Sequence, residues 1–284
     1  MVSVIITTFN RRAFLKEAVL SVLRQDYREK EVIVVDDGSI DRSFEEVADF
    51  PVRYVWKQNR GISSARNMGI AVSSGEFIAF LDVDDVWKQG KLRTQLQKME
   101  AAGIDISYTD EIWLRNGEHL NQKFRHRKYS GYIFDRCLPL CIISPSSVVM
   151  RRGVFEDVGL FDESMPVCED YDMWLRITSR YPVLFIDKAF IIKRGGHDDQ
   201  LSRVYKGMDR FRIESLARII RTETLHREMK AAALRELRRK CMIYATGAKK
   251  RGRLQEADYY EKMCNTLENQ PLISDSIKGE RQGL

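Results

Sequence analysis

Short apolar runs alternate with amphipathic stretches over the first hundred residues, and this alternation constrains the fold more than any other feature of the sequence. The apolar runs are rich in β-branched residues and have the length of buried strands, whereas the stretches between them repeat apolar residues at helical spacing. Repetition of this kind favours a parallel sheet that is covered by helices on both faces. The predicted strands are 2–7, 31–36, 52–56 and 77–81, and the predicted helices are 13–24, 41–48, 63–72 and 91–101.

After residue 105 the strand candidates no longer alternate regularly with helices, which indicates a second half of the same domain with a mixed sheet. The predicted strands there are 106–109, 147–151, 183–186 and 190–193, and the predicted helix is 169–180. Beyond about residue 205 we predict helices at 208–222, 228–248 and 254–267. The last two resemble one tetratricopeptide-like hairpin, which on its own must dock on this domain or on a partner.

The expected organisation is a doubly wound, mostly parallel α/β domain over residues 1–200, followed by a helical extension. The domain divides into a first half at 1–104 and a second half at 105–200. The basic helical extension covers 201–270, and a flexible tail covers 271–284.

Polar side chains follow three of the predicted strands at the point where each strand ends. Thr7 closes the first strand, Asp37 follows the second, and Asp82 follows the fourth. The carboxyl ends of parallel strands meet at one edge of a sheet, where ligands of such folds bind. We therefore expect these hydroxyl and carboxylate groups to line one site.

Three carboxylates, Asp82, Asp84 and Asp85, lie within four residues directly after a buried strand. A helix cap uses one aspartate or two, so the third carboxylate favours a divalent cation over simple capping. Carboxylate oxygens suit Mg²⁺ or Mn²⁺, which retain water and bind a diphosphate at the same time.

Four further positions have both a structural and a functional interpretation. The aspartate in the turn after the second strand closes the turn or accepts a hydrogen bond from the imide of uracil. Arg66 lies in a loop that opens a helix, where phosphate binds readily. Asp170 is either one of the acidic residues common at a helix start or a general base. His197 lies in a Gly-rich loop, as a surface residue or as part of the site.

The formal net charge of +6 is unevenly distributed. Residues 200–284 hold 19 Lys and Arg against 11 Asp and Glu, a net of +8, and the preceding residues hold 28 against 30, a net of −2. A nucleic-acid-binding protein and a protein that rests on anionic lipid both show such a split, and ordinary solvated helix faces are the third interpretation. The residues in question are Arg235, Arg238, Arg239, Lys240, Lys249, Lys250, Arg251 and Arg253.

Composition excludes several classes of protein. The 44% hydrophobic and 31% charged residues argue against a disordered chain, and five scattered cysteines argue against a disulfide scaffold. No run of about 18 apolar residues predicts a membrane-spanning helix. The first residues lack the pattern of a signal peptide, so we expect a cytoplasmic protein with reduced thiols.

Five ordered motifs over about residues 2–200 make the chain resemble the family 2 glycosyltransferases, which have the GT-A fold. Any one of the motifs is weak, whereas the ordered set is specific. The motifs are VSVIITTFNR at 2–11, VVDDGSID at 34–41, GISSARNMG at 61–69, FLDVDDVW at 80–87 with KL at 91–92, and EDYDMWLR at 169–176.

The resemblance implies a nucleoside diphosphate sugar as donor, with UDP as the expected nucleotide. Thr7, Phe9 and Asp37 match positions that hold the base and ribose. Arg66 matches the arginine near the base and the phosphates, and Asp82 is the first aspartate of the family's DxD motif.

The resemblance also implies the residues of the reaction. Asp84 would bind Mg²⁺ or Mn²⁺, with Asp85 as the rival ligand and His197 in the loop that closes over the diphosphate. Asp170 matches the catalytic base, and Glu169 lies beside it. The implied reaction is an inverting transfer to the hydroxyl of a saccharide or lipid-linked acceptor in cell-surface polysaccharide or glycolipid synthesis, without nucleic acid as a partner.

Two departures and two alternatives accompany the resemblance. Gln89 replaces a proline that relatives often have, which changes only the stiffness of the loop. The chain also lacks the Gln-x-x-Arg-Trp motif of processive synthases, so we expect a non-processive enzyme. A sugar nucleotidyltransferase would need a Gly-rich loop after the first strand, which is absent here. A non-catalytic scaffold would not need hydroxyl and carboxylate groups at three strand ends.

Overall fold

A computed structural model describes residues 1–196, 204–205, 207–221 and 225–268. These residues form one mixed sheet of nine strands in the order β3-β2-β1-β4-β8-β6-β9-β5, with β7 paired to β6. The strands are β1 Val2–Thr8, β2 Lys30–Asp36, β3 Arg53–Trp56, β4 Phe77–Asp82, β5 Val86–Trp87, β6 Ile106–Arg115, β7 Glu118–Leu120, β8 Val149–Arg151 and β9 Leu184–Gly195.

Helices lie on both faces of the sheet and beyond its second half. The α-helices are α1 Arg12–Leu23, α2 Ile62–Val72, α3 Lys91–Ala102, α4 Phe134–Cys137, α5 Gly153–Val158, α6 Glu169–Thr178, α7 Asp209–Arg221, α8 Arg227–Lys250 and α9 Leu254–Glu268. Short 3₁₀ helices span Ser43–Glu46, Phe124–His126 and Pro145–Ser147.

The first half of the sheet is parallel, as predicted. β1 lies between β2 and β4, with Thr8 opposite Asp36 and Thr7 opposite Asp82. Both faces of these strands are buried, one by a core cluster that includes Ile5 and the other by a cluster that includes Ile6. Burial on both faces explains the continuous apolar runs of the sequence, and the register brings the three polar strand ends side by side.

The second half of the sheet is mixed, as expected, but its strands differ from the prediction. Residues 184–186 and 190–193 belong to one strand, β9, which runs parallel to β6. The register slips where Thr109 pairs with Ile186 and Asp110 pairs with Ala189, so that Asp187 and the residue after it form an exposed bulge. The polar interruption therefore marks a bulge rather than the end of a strand.

The C-terminal helices pack on the domain in series, and α8 and α9 contact each other. The tetratricopeptide-like character of this pair stays a prediction. Tyr244 and Tyr260 stack with ring centroids 4.6 Å apart across the hairpin. Lys240, which the sequence placed among the exposed basic residues, is 3% exposed because its ammonium binds the carbonyl of Pro139 and the carboxylate of Asp209. The division into domains stays a prediction, and the predicted tail lies outside the described residues.

Candidate active site

A cleft of about 1040 Å³ opens at the carboxyl ends of β1, β2 and β4, where the sequence placed the site. Nine of the ten predicted site residues line this cleft, and His197 lies outside the described residues. The nine are Thr7, Phe9, Asp37, Arg66, Asp82, Asp84, Asp85, Glu169 and Asp170.

Arg66 lies at the centre of the cleft wall and joins its two halves. It is 3% exposed on the second turn of α2, and its guanidinium lies 2.6 Å from Oε1 of Glu169 and 2.8 Å from Oδ1 of Asp82. Burial alone would lower the pKa of the guanidinium, but the two carboxylates outweigh burial and raise it. Arg66 is therefore a permanent positive charge that orients both carboxylates.

Glu169 and Asp170 begin α6, yet their surroundings differ. Glu169 is 6% exposed, and burial raises its pKa, with Arg66 acting in the opposite direction. Asp170 is more exposed, and its Oδ1 accepts a hydrogen bond from the backbone N–H of Tyr171 at 2.7 Å. Glu169 is thus an ion-pair partner of the arginine, whereas Asp170 presents a carboxylate to the cleft.

Asp84 and Asp85, in the turn after β4, have different surroundings. Asp85 is 1% exposed, and its carboxylate accepts hydrogen bonds from Ser146 Oγ at 2.6 Å and from the backbone N–H of Arg194 at 3.2 Å. Asp84 is partly exposed, and no other described residue donates a hydrogen bond to its carboxylate. Burial and the neighbouring Asp82 raise the pKa of Asp84.

The carboxylates of this turn suit a cation that completes its coordination shell with oxygen atoms of a bound ligand. Within the described ranges, no three His, Cys, Asp or Glu side chains converge on one point. Mg²⁺ commonly uses one or two carboxylates together with substrate phosphates and water. Asp84 supplies one such carboxylate at the cleft, so the residues present are compatible with Mg²⁺ or Mn²⁺ bound together with a diphosphate.

Asp37 holds the loop that forms one rim of the cleft. Its carboxylate binds the ammonium of Lys57 at 2.5 Å and accepts hydrogen bonds from the backbone N–H groups of Arg60 and Gly61, at 3.1 and 2.7 Å. Gly61 has a φ of +91°, which only glycine adopts without strain. The sequence placed Asp37 near the base, and the structure adds that its carboxylate fixes the entry to α2.

The remaining predicted residues lie at the inner wall and the mouth of the cleft. Thr7 is 4% exposed at the end of β1, between the two acidic strand ends. Phe9 is 47% exposed and presents a ring at the mouth, where a planar base can stack.

Sequence reasoning missed two residues of the cleft region that lie on other elements. Lys193, near the end of β9, lines the cleft, and the carboxylates of Glu111, Asp85, Asp82 and Asp170 outweigh burial and raise its pKa. Cys141 lies 3.3 Å from Oδ2 of Asp170. The Lys-Arg pair at the end of a predicted strand was a usable signal for the lysine, but no pattern in the sequence signals the cysteine.

A sequence model of the family "Glycosyl transferase family 2" matches residues 3–159, which is more than half of the chain. The matched range includes the strand ends at Thr7, Asp37 and Asp82 and ends before α6. It therefore covers the first half of the cleft and leaves out Asp170.

Curated relatives show the same relationship over a longer range. An uncharacterized glycosyltransferase of Rickettsia bellii is 36% identical over 184 residues, which is 63% of this chain and 26% of that protein. A second, from Rickettsia conorii, is 33% identical over 191 residues, which is 66% of this chain and 32% of that protein. The chain thus spans about a quarter to a third of the length of these relatives.

A third relative has a named reaction. The Escherichia coli protein WfgD, named UDP-Glc:alpha-D-GlcNAc-diphosphoundecaprenol beta-1,3-glucosyltransferase, is 28% identical over 198 residues, which is 68% of this chain and 76% of WfgD.

Solved structures of S. aureus TarS have the same fold. TarS 1-349 in complex with UDP-GlcNAc superposes with a TM-score of 0.72 at 20% identity, covering 94% of this chain and 80% of the other. The complex with UDP gives a TM-score of 0.66 at 20% identity, covering 86% of this chain and 72% of the other. The expected GT-A architecture is confirmed by this match.

Proposed function

The chain belongs to glycosyl transferase family 2, and from this premise we propose that it transfers a sugar from a nucleoside diphosphate sugar to an acceptor hydroxyl, with inversion at the anomeric carbon. One observation carries the proposal. The carboxylate of Asp170 faces the cleft beside an ion-paired Arg66, at the edge of the sheet where parallel folds bind nucleotides.

In the proposed reaction Asp170 is the general base. The acceptor hydroxyl donates its proton to the Asp170 carboxylate as its oxygen forms a bond to the anomeric carbon. The bond from that carbon to the diphosphate breaks on the opposite face, and the electron pair leaves with the nucleoside diphosphate. A single displacement of this kind inverts the anomeric centre. Arg66 keeps Glu169 and Asp82 in place throughout, since its guanidinium is buried and forms an ion pair with each of them.

A divalent cation, Mg²⁺ or Mn²⁺, is part of the proposal. When bound, it would neutralise charge that develops on the leaving diphosphate. Asp84 would hold it, because the Asp85 carboxylate is already engaged by Ser146 and Arg194. His197 is proposed as a further ligand from the loop that follows β9.

UDP is the proposed nucleotide. The support comes from similar proteins: the neighbouring TarS structures are complexes with UDP and UDP-GlcNAc, and WfgD is named for a UDP-Glc donor. In this chain Thr7, Phe9 and Asp37 would bind the base and ribose, and Arg66 and Asp82 would lie near the phosphates.

A saccharide or lipid-linked acceptor at the cytoplasmic face of a membrane is proposed, in cell-surface polysaccharide or glycolipid synthesis. WfgD is named for an acceptor on diphosphoundecaprenol, which supports this acceptor class. No helix in the described ranges has the length and apolar character to cross a bilayer. The proposed contact with the membrane is peripheral.

One face of α8 has the composition that such a contact needs. At about 100° per residue, the exposed positions from 235 to 250 fall within about 140° of arc. They carry no carboxylate, because Glu236 is buried against Lys240. These positions are Arg235, Arg238, Arg239, Met242, Ile243, Thr246, Lys249 and Lys250, which we call the α8 face.

The charge of the α8 face favours an anionic bilayer as its partner. Two apolar side chains, Met242 and Ile243, are 60% and 53% exposed midway along the helix, with cations before and after them in the chain. Each Lys or Arg near an anionic surface contributes about 1 kcal/mol of attraction. Lys249 and Arg239 contribute less, because Glu261 pairs with Lys249 and Glu236 pairs with Arg239, each at 2.7 Å.

Release of nucleoside diphosphate from a panel of sugar nucleotides tests the proposed reaction. The panel contains UDP-glucose, UDP-GlcNAc and GDP-mannose with Mn²⁺, with a GlcNAc-diphosphate polyprenol or water as the acceptor. We expect release of UDP and no release of pyrophosphate. Absence of turnover with every donor would favour a scaffold, and release of pyrophosphate would favour a nucleotidyltransferase.

A further inference from the structure

We infer that Cys141 is a positioning residue for Asp170: its thiol holds one carboxylate oxygen in the orientation in which the base meets the acceptor hydroxyl. The inference rests on the proposed role of Asp170 as general base. It goes beyond that role because it names what keeps the carboxylate in place.

The contact is a hydrogen bond from a thiol to a carboxylate. Cys141 Sγ lies 3.3 Å from Oδ2 of Asp170 and 3.2 Å from the carbonyl oxygen of Ile143. Both partners are acceptors, so the sulfur is the donor and its single proton is shared between them. Burial, reinforced by Asp170, raises the pKa of the Cys141 thiol well above its usual range, so that the proton stays on the sulfur at neutral pH.

The two oxygens of Asp170 are held from different sides. Oδ1 accepts from the backbone N–H of Tyr171, which belongs to the same helix. Oδ2 accepts from Cys141, which comes from the chain between α4 and the 3₁₀ helix at Pro145–Ser147. Within the described ranges these are the two hydrogen bonds that the carboxylate accepts. Removal of the thiol leaves one oxygen unrestrained and allows the carboxylate to rotate about χ2.

A thiol suits this task because it is a weak donor. The neighbouring Glu169 is bound by the guanidinium of Arg66 at 2.6 Å, so a charged donor occupies its carboxylate in a buried ion pair. Cys141 contacts Asp170 as an uncharged donor, so that it orients the carboxylate without forming an ion pair. The two adjacent carboxylates thus have different partners and different roles.

The segment that carries Cys141 is anchored to the other side of the cleft by Ser146. Its hydroxyl donates to Oδ2 of Asp85 at 2.6 Å and accepts from the backbone N–H of Asp82 at 3.1 Å. Its carbonyl accepts from the indole of Trp87 at 2.9 Å. One short segment, residues 141–146, therefore sets the position of the base relative to the aspartates of the turn after β4.

Three variants of the full chain test the inference: Cys141→Ala, Cys141→Ser and the control Cys137→Ala. Cys137 is a buried cysteine four residues earlier that does not line the cleft, so its replacement removes a similar volume without touching Asp170. Steady-state kinetics with the donor found in the panel give kcat and KM, and the thermal shift on addition of UDP reports folding and nucleotide binding.

We expect Cys141→Ala to lower kcat by about tenfold, since small displacements of a catalytic group cost up to about a hundredfold. The donor KM and the UDP shift should stay at the wild-type values. Cys141→Ser, which keeps a donor, should recover kcat to within about threefold of wild type, and Cys137→Ala should leave kcat unchanged.

Two results would overturn the inference. One is a kcat of Cys141→Ala that equals that of Cys137→Ala. The other is an equal loss in the alanine and serine variants together with a reduced UDP shift, which would indicate packing alone. Failure of the proposed function is distinguishable, because it would appear as undiminished turnover in Asp170→Asn.

Discussion

Arg66 and Glu169 lie 103 residues apart in the chain, and their side chains form a buried ion pair at 2.6 Å. One residue belongs to the second turn of α2 and the other to the first turn of α6. The same guanidinium reaches Asp82 at the end of β4. This contact ties the first half of the domain to the half that carries the proposed base.

Removal of Arg66 should destabilise the protein strongly. Arg66→Met leaves Glu169 buried without a counter-charge, which typically costs about 3–5 kcal/mol of unfolding free energy. The double variant Arg66→Met with Glu169→Gln should recover part of the loss. Urea unfolding measures the stability of both variants. An Arg66→Met variant as stable as wild type would show that the ion pair between Arg66 and Glu169 does not hold the two halves of the domain together.

Gly69 permits the close approach of α2 to β1, and its replacement should also destabilise. A Cβ at Gly69 would lie 2.4 Å from Cγ2 of Ile5, which is fully buried. Gly69→Ala should therefore cost about 1–3 kcal/mol through overpacking.

Gly153→Ala is the matched control for Gly69→Ala. Gly153 is also helical, but an added Cβ there meets no atom within 4 Å. We expect this variant to unfold at or above the wild-type urea concentration. Equal midpoints for the two variants would contradict the proposed role of close packing at Gly69.

Asp84 and Asp85 should respond differently to substitution. Asp84→Ala should raise the Mn²⁺ concentration needed for half-maximal turnover and leave the unfolding free energy unchanged. Asp85→Ala should lower the unfolding free energy by about 1–3 kcal/mol, because Ser146 and the N–H of Arg194 lose a buried acceptor. The measurement is turnover after EDTA treatment, titrated with Mn²⁺. A change in the Mn²⁺ requirement of Asp85→Ala, without a change in that of Asp84→Ala, would contradict the assignment of Asp84 as the ligand.

The α8 face should bind anionic vesicles. Wild-type protein should co-sediment with vesicles of phosphatidylglycerol and phosphatidylcholine but not with phosphatidylcholine alone, and salt should weaken the binding. The triple variant Arg235→Ala, Arg238→Ala and Lys250→Ala should lose most of it.

The control for the α8 face removes the same charge elsewhere, with Arg115→Ala, Lys123→Ala and Lys188→Ala, all at exposed positions. This control should bind as wild type does. Equal loss in both triple variants would point to bulk charge, and self-association that depends on Met242 and Ile243 without vesicle binding would point to a second copy of the chain as the partner.

The parallel half of the sheet was predictable from the sequence because its determinants are local. Strands buried on both faces are continuous apolar runs, and the polar residues at their ends lie next to them in the chain. The strand ends at Thr7, Asp37 and Asp82 meet for that reason, without any information on side-chain contacts.

The remaining features of the fold and of the site depend on contacts between residues far apart in sequence. The pairing of Arg66 with Glu169, the burial of Lys240 and the thiol of Cys141 beside Asp170 follow from packing between elements, which no local pattern encodes. The bulge in β9 was mistaken for the end of a strand, because two exposed polar residues interrupt the apolar run in the same way.

The central claim is that Asp170 removes the proton from the acceptor hydroxyl, and kcat of Asp170→Asn tests it most directly. The asparagine has nearly the same shape but cannot accept the proton, so kcat should fall by about 10²–10⁴-fold. The thermal shift with UDP and Mn²⁺ should match that of the wild type. A kcat close to the wild-type value, with UDP binding intact, would contradict the assignment of Asp170 as the base.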